Sequence, residues 1–306
     1  MNTPGAPEAP ELPPVAVVGV SGAPSQYFHY RIAGTHVLID REVPRLAGFQ
    51  LPPVDPTPQY PPPQTVAAGA DTLFDGTAYV LGRQRRLRCL GNAGVYELSI
   101  NGVGQFLFDS TSHLLQLGAV LPSNDLAQLL CGPLLPLALA NRDCFLLHAS
   151  AVTTATGSIA FCGASGAGKS TLAAAFAEGP SDPLADDALA LAAGPEQPLL
   201  AGPFPQPKWP DWGAGVGGAG LPLTALVELV NDGSDPPETR PVAAAPATLT
   251  VIRHTIAGRL FGPDLRQTQL EFAAALAAAT PVYALHYRQE MRNLPLMVEE
   301  LKHHVA

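Results

Sequence analysis

The chain has 306 residues, 47% of them apolar and only 14% charged, which is enough apolar side chain for one large core or two ordinary ones. Its net charge of −9 argues against a general nucleic-acid binder, because phosphate backbones select for basic surfaces. The four cysteines, Cys89, Cys131, Cys144 and Cys162, form no C-x-x-C pair, and three of them sit in apolar runs, so they read as small buried hydrophobes in a reducing compartment and not as a disulfide or zinc framework.

Residues 1–14 are rich in proline, alanine and glutamate and read as a disordered tail with no basic region leading into an apolar one. No apolar run approaches the length that spans a bilayer, so no membrane association and a cytoplasmic location are expected. From Val15 onward short β-like runs appear. Tyr27-Phe-His-Tyr-Arg-Ile and Thr35-His-Val-Leu-Ile-Asp flank Ala33-Gly34, a hairpin turn. Leu51 to Gln64 is too proline-dense for a central strand. Thr77-Ala-Tyr-Val-Leu, Val95-Tyr-Glu-Leu-Ser-Ile and Gly104-Gln-Phe-Leu-Phe-Asp read as three further strands. Asn101-Gly102 between the last two has the composition of a type I′ turn. Residues 15–120 therefore read as a small β-rich lobe. Arg83, Arg85, Arg86 and Arg88 cluster within it, either as a docking patch for an acidic peptide or as a solvated strand or loop.

Residues 121–306 read as a second domain of mixed α/β type. Asn124-Asp125 is placed to cap a helix through Leu130, and Leu134 to Ala140 is apolar and helical in character. Cys144 to Val152 reads as a buried strand, followed by a turn and a second strand, Ser158-Ile-Ala-Phe-Cys162. Then comes Gly163-Ala-Ser-Gly-Ala-Gly168-Lys169-Ser170, which fits G-x-x-x-x-G-K-[ST], the phosphate-binding P-loop. Glycine lets the main chain curl so that successive N–H groups face phosphate oxygens. Lysine adds a point charge near the β and γ phosphates, and a serine hydroxyl can ligate Mg²⁺. Residues Gly163, Ala164, Ser165, Gly166, Ala167, Gly168, Lys169, Ser170 and Thr171 are thus the expected ATP cradle. The Ala-rich stretch to Ala177 is helix-prone, with Gly179 as its stop, and this would place a helix N-terminus under the anion. Lysine otherwise occurs only at Lys208 and Lys302, so Lys169 is not compositional background.

Pro183 to Leu191 reads as the next strand. It carries the adjacent acids Asp186 and Asp187, and buried unpaired carboxylates are costly unless something compensates them. Mg²⁺ and its phosphates would. Neighbours on a strand point to opposite faces, so one acid is free to face the metal and the other to take a second role; the competing reading is a strand end with both acids in solvent. Gly202 to Pro222, with Lys208, Trp209, Trp212 and the run from Gly213 to Gly220, reads either as a substrate lid or as an ordinary connector. Leu223 to Val230 is a strand, Leu265 to Ala279 a helix, Thr280 to Tyr287 a late strand and residues 289–303 a terminal helix. Arg253 and Arg259 are candidate stabilisers of transferred charge, against the simpler reading of surface arginines.

No Asn-Lys-x-Asp motif exists to read guanine and no Leu-Ser-Gly-Gly-Gln signature of a transporter ATPase exists. Leu147-His148-Ala-Ser-Ala-Val152, the Gly163–Ser170 loop and Ala185-Asp186-Asp187 together resemble the core of the HPr serine kinase/phosphorylase family. The wider pattern resembles HPr-kinase-related proteins, some of which tailor lasso-peptide precursors. Tyr30-Arg-Ile-Ala-Gly34 and Pro203-Phe-Pro-Gln-Pro-Lys-Trp209 are similar to their N-terminal start and to the segment that follows their Asp-Asp strand. The resemblance is specific over residues 144–191. It implies a P-loop, phosphoenolpyruvate-carboxykinase-like mixed-sheet kinase domain behind a β-rich lobe. It further implies transfer of the ATP γ-phosphoryl group to a serine of a peptide or small protein, with Mg²⁺ on Ser170 and Asp187, Asp186 as proton acceptor and His148 orienting the phosphate or Asp186. Thr171 and Ala149 stand where the HPr enzymes carry an acid and a glycine, which points away from phosphorylase activity and from HPr as acceptor. A nucleotide-gated peptide-binding module and a small-molecule kinase are the alternatives, and homo-oligomerisation is left open.

Overall fold

Alternating apolar residues through the first third of the chain build one sheet. The computed structural model describes residues 13–19, 26–53, 65–177, 182–194, 198–200, 202–206 and 220–305. Most of the proline-dense stretch before Gln64, the proposed helix stop at Gly179, and Lys208, Trp209, Trp212 and the glycine run up to residue 219 lie outside the described residues. The strands are β1 (Val15–Val18), β2 (Phe28–Ile32), β3 (Thr35–Ile39), β4 (Gln50–Leu51), β5 (Asp71–Val80), β6 (Arg83–Asn92), β7 (Val95–Ile100), β8 (Gly104–Asp109) and β9 (Leu114–Leu117). They form a nine-stranded sheet in the order β4-β2-β3-β1-β9-β8-β7-β6-β5. Strand β1 pairs in parallel with both β3 and β9 and so joins two antiparallel meanders. The period-two rule selects the inner face: Tyr30 and Ile32, Leu87 and Cys89, Leu98 and Ile100, and Phe106 and Phe108 all enter one buried cluster.

The turns only partly follow the sequence reading. Ala33-Gly34 joins β2 to β3 with both φ values positive, at +48° and +71°, the pattern of a type I′ hairpin. Asn101-Gly102 does not. Of the two only Gly102 has positive φ, Val103 N–H donates to Ile100 O at 3.0 Å, and the strands resume at Gly104, so the sign pattern is that of a type II turn. The arginine cluster lies on β6, a strand the sequence reading left undecided between strand and loop.

A continuous helical run follows: α1 (Ser123–Leu129), a π turn at Leu130–Leu134 and α2 (Leu135–Ala140). Pro133 sits in the π turn, where the missing N–H and the ring exclude the regular i→i−4 ladder. Asn124 and Asp125 lie inside the first turn of α1, and no side chain caps its start, which corrects the expected cap. The remaining elements are β10 (Cys144–Leu147), β11 (Ala149–Thr153), β12 (Ser158–Gly163), α3 (Lys169–Ala177), β13 (Pro183–Ala185), β14 (Leu189–Ala192), β15 (Leu199–Leu200), β16 (Leu223–Asn231), β17 (Glu238–Pro241), α4 (Ala244–His254), α5 (Pro263–Ala279), β18 (Val282–Tyr287) and α6 (Leu294–Val305).

Six of these strands form a mixed sheet, β13-β11-β12-β16-β18-β17, in which β12, β16 and β18 are parallel neighbours. Alternation again sorts the faces. Ile159 and Phe161 of β12, with Val227 and Leu229 of β16, pack with Leu172 and Phe176 of α3 and Met297 and Leu301 of α6. Ala160, Cys162 and Leu226 face the other way and share the larger cluster with Ala247 and Val251 of α4 and Phe272 of α5. β10, β14 and β15 make a separate three-stranded sheet. The molecule is thus a mixed α/β protein with mixed sheets. No helix among the described residues is long and apolar enough to cross a membrane.

Candidate functional site

The parallel strands β12, β16 and β18 end on one side of the sheet, in register Gly163↔Leu229 and Leu229↔Leu285. In open α/β sheets, the crevice beyond such carboxyl ends is where ligands bind. The Gly163–Ser170 segment leaves β12 there and enters α3 at Lys169. Gly166 and Gly168 hold φ of +81° and +86°, and a Cβ at either would meet nothing within 4 Å. Glycine is required here by backbone conformation, and the space beside both residues is open.

The loop is tied down through its carbonyls. Lys169 Nζ donates to Gly163 O at 3.0 Å and to Ala164 O at 3.1 Å. Gln289 Nε2 donates to Gly166 O at 2.6 Å, and the Tyr287 hydroxyl donates to Ala167 O. A trans peptide points its C=O and N–H in opposite directions, so anchoring the Ala167 carbonyl outward aims the Gly168 N–H away from that anchor. The first N–H groups of α3, from Lys169 through Thr171, have no acceptor within the helix and add to its positive end. The segment is therefore a rigid, curled array of donors with a buried ammonium beside it. Sequence reasoning missed Tyr287 and Gln289, because nothing local marks a tyrosine at a strand end as the support of a loop 120 residues earlier.

His148 and the two acids sit at paired breaks. Cys144 to Val152 is not one strand but two, interrupted at His148, and Pro183 to Leu191 is likewise split at Asp186-Asp187-Ala188. β10 pairs with β14, with Leu147 opposite Leu189, while β11 pairs with β13, with Ala151 opposite Ala185. Both segments thus cross between the three-stranded and the six-stranded sheet, side by side and in opposite directions, and the breaks face each other. This corrects the expectation that Asp186 and Asp187 alternate on one strand: they occupy a bend, where the face rule does not apply. His148 Nδ1 lies 3.0 Å from Asp187 O. A carbonyl only accepts, so Nδ1 carries the proton and Nε2 of the neutral ring is left with its lone pair. Burial, and then the Lys169 charge, push the His148 pKa below its usual value and favour that neutral ring.

Asp186 is fully buried. Ser150 Oγ donates to Asp186 O at 2.8 Å and lies 3.3 Å from Oδ1, while Oδ2 has no hydrogen-bond partner among the described residues. Asp187 is half-buried. The bend is gripped by Gln206, a buried residue that sequence reasoning placed only in a proline-containing segment. Its Oε1 accepts from the N–H groups of Asp186, Asp187 and Ala188 at 3.1, 3.0 and 3.1 Å. Its Nε2 donates to Ala188 O at 2.9 Å and Phe204 O at 2.7 Å. One side chain thus serves five backbone groups, and a buried backbone group left unpaired costs about 1–3 kcal/mol.

A fourth element closes the side opposite α3. His254, the last residue of α4, accepts the His148 N–H through its carbonyl at 2.8 Å. Glu228 on β16, opposite Cys162 and one register step from Gly163, accepts from Thr250 Oγ1 and Arg253 Nη1, each at 2.7 Å. The His254 ring, whose Nε2 lies 3.5 Å from Oε1, and then the Thr250 and Arg253 contacts hold the Glu228 carboxyl below the usual carboxylate range against its burial. Arg253 is therefore brought to the site. Arg259, exposed on the 3-10 turn Gly258–Leu260, makes no hydrogen bond or ion pair to it among the described residues. The arginine cluster on β6 is partly spent on neighbouring strands and turns: Arg86 forms a two-pronged pair with Asp75 of β5 at 2.9 Å, and Arg85 donates to the carbonyls of Val80 and of Asn101 in the β7–β8 turn.

The fold and site define a mixed α/β protein with a glycine-rich loop running from strand to helix, a buried lysine and a pair of acids facing a histidine. No family model and no curated protein matches the chain. Among solved structures it is similar to the Hpr(Ser) kinase/phosphatase from Coxiella burnetii, at a TM-score of 0.30 and 17% identity, over 52% of this chain and 89% of that one. A likeness that slight bears on neither fold nor chemistry, which stand on this chain's own geometry.

Proposed function

We propose that the chain is an ATP- and Mg²⁺-dependent P-loop kinase that phosphorylates a serine hydroxyl of a peptide or small protein. One observation carries this reading: Asp186, buried with an unpartnered Oδ2, lies in a bend whose neighbour Asp187 is bonded through its carbonyl to His148, and His148 is close enough to Lys169 of the donor-lined loop to feel its charge. A buried carboxylate oxygen without a partner is costly unless a cation or a proton is to be received there. The open space beside Gly166 and Gly168 fits phosphate oxygens in the same way.

The loop amides and Lys169 would bind the β and γ phosphates. Ser170 and Asp187 would hold Mg²⁺, which when bound neutralises charge on the phosphates. The acceptor serine oxygen forms its bond to the γ phosphorus as the bond from that phosphorus to the β-bridging oxygen breaks. The serine proton goes to Asp186, and ADP leaves. His148, neutral and fixed through Nδ1, would orient Asp186 or the phosphate through Nε2. The acceptor class comes from the resemblance of residues 144–191 to the HPr serine kinase/phosphorylase core, and a lasso-peptide precursor is the particular peptide favoured by the wider resemblance, at Tyr30–Gly34 and Pro203–Trp209, to HPr-kinase-related proteins.

The test is incubation with Mg²⁺-ATP and a serine-containing candidate peptide, read by mass spectrometry. The kinase reading expects the peptide to gain one phosphate and to lose that gain when its serine is alanine. Nucleotide-dependent peptide binding with no change of mass would identify a binding module instead.

A further inference from the structure

We infer that Glu228 is a positioning residue: it fixes the Arg253 guanidinium at the rim of the loop so that its free edge meets the phosphoryl group in transit. The inference rests on the nucleotide reading above and names a part of that site which the loop motif does not contain. Four observations support it. First, Glu228 lies on β16 opposite Cys162, adjacent to the point where β12 turns into the loop. It faces the side of α4, since Leu226 shares its parity and packs with Ala247 and Val251. Second, a carboxylate in that position is otherwise unexpected. The neighbouring residues Leu226, Val227 and Leu229 are buried and apolar, and the Glu228 side chain is only 16% exposed. Third, its two oxygens face different partners. Oε2 is taken by the buried Thr250 hydroxyl, which locks the carboxylate's orientation, and Oε1 accepts from Arg253 Nη1, both at 2.7 Å, with His254 Nε2 3.5 Å from the same Oε1. Fourth, Arg253 spends one end of its fork there and leaves the rest of a side chain that is 62% exposed facing solvent. One residue further on, the carbonyl of His254 is bonded to the His148 N–H, so the end of α4 is fixed against the same site.

An exposed ion pair contributes little to stability, about 1 kcal/mol or less. A locked carboxylate that holds one end of an exposed guanidinium is suited instead to pre-orienting the other end. Such a group acts where charge develops and adds little to the ground state.

The test needs no acceptor. Wild-type protein, Glu228→Gln and Arg253→Lys are titrated calorimetrically with Mg²⁺-ADP, and with Mg²⁺-ADP plus aluminium fluoride, which mimics the phosphoryl group in transit. Glu228→Gln should bind ADP within about twofold of wild type and bind the mimic at least about tenfold more weakly. Arg253→Lys is a surface change that leaves the core intact. It keeps the charge but not the fork, and should show the same selective loss even if Glu228→Gln folds poorly. In an Arg253→Met background, Glu228→Gln should add nothing, because both act through one guanidinium. Equal weakening of ADP and mimic, full retention of the mimic by either single variant, or a further loss in the double variant would overturn the assignment. Wild-type protein that binds neither ligand would overturn the nucleotide reading, and this inference with it.

Discussion

Lys169→Ala is expected to abolish phosphoryl transfer and to weaken Mg²⁺-ATP binding by about a hundredfold or more. Two effects combine. Among the described residues the ammonium is the one lysine charge placed at the loop, and a cation at the phosphates acts where transfer spreads charge over the equatorial oxygens. It also bridges the carbonyls of Gly163 and Ala164, at 3.0 and 3.1 Å, so its removal frees the start of the curl as well. The tyrosine and glutamine supports at Ala167 and Gly166 remain, and the variant should therefore still fold. Transfer rates from the mass assay and affinities from calorimetry read both effects. Near-normal turnover would remove the loop from the mechanism.

Asp186→Asn is expected to lower transfer by about 10²- to 10⁴-fold, the usual worth of a positioned proton acceptor, while leaving nucleotide binding largely intact. The same change should not cost stability. Asp186 Oδ2 is buried without a hydrogen-bond partner among the described residues, and Ser150 Oγ bonds more closely to the Asp186 carbonyl than to its carboxylate. A neutral amide is cheaper to bury than a carboxylate, so a melt at neutral pH should show an unchanged or raised midpoint. Loss of Mg²⁺-dependent binding would mean that Asp186 holds the metal and that Asp187, half-buried and beside His148, receives the proton. A large fall in the melting midpoint would make Asp186 a structural residue.

The loop was legible in the sequence because its physics is local. Glycine at Gly168, a lysine and a helix-prone stretch are needed within a few residues, and Gly168 holds its positive φ where the motif puts a glycine, while Gly166 holds one at a position the motif leaves open. His148 and the two acids were legible as residues but not as geometry. Each was assigned to an unbroken strand, whereas the chain crosses between two sheets at those points, and a crossing is set by long-range pairing that no local pattern records. Helix α4 went unread for a related reason: Thr248-Leu-Thr-Val-Ile252 is β-branched enough to look like a strand, and only packing of Ala247 and Val251 on the sheet makes it helical. Gln206, Tyr287, Gln289 and Glu228 support the site from 18 to 123 residues away in sequence, and their side chains carry no signature until the fold brings them in. The turn at Asn101-Gly102 shows the converse: a strong dipeptide preference yielded to the three-residue spacing between β7 and β8.

The most direct test is a crystal structure of the chain grown with Mg²⁺ and a non-hydrolysable ATP analogue. The triphosphate should lie against the main-chain N–H groups between Gly166 and Thr171, with the Lys169 ammonium on its terminal phosphates and the metal between Ser170 and the Asp186-Asp187 bend. A nucleotide seated elsewhere, or one in this cradle with both acids directed away from it, would contradict the account.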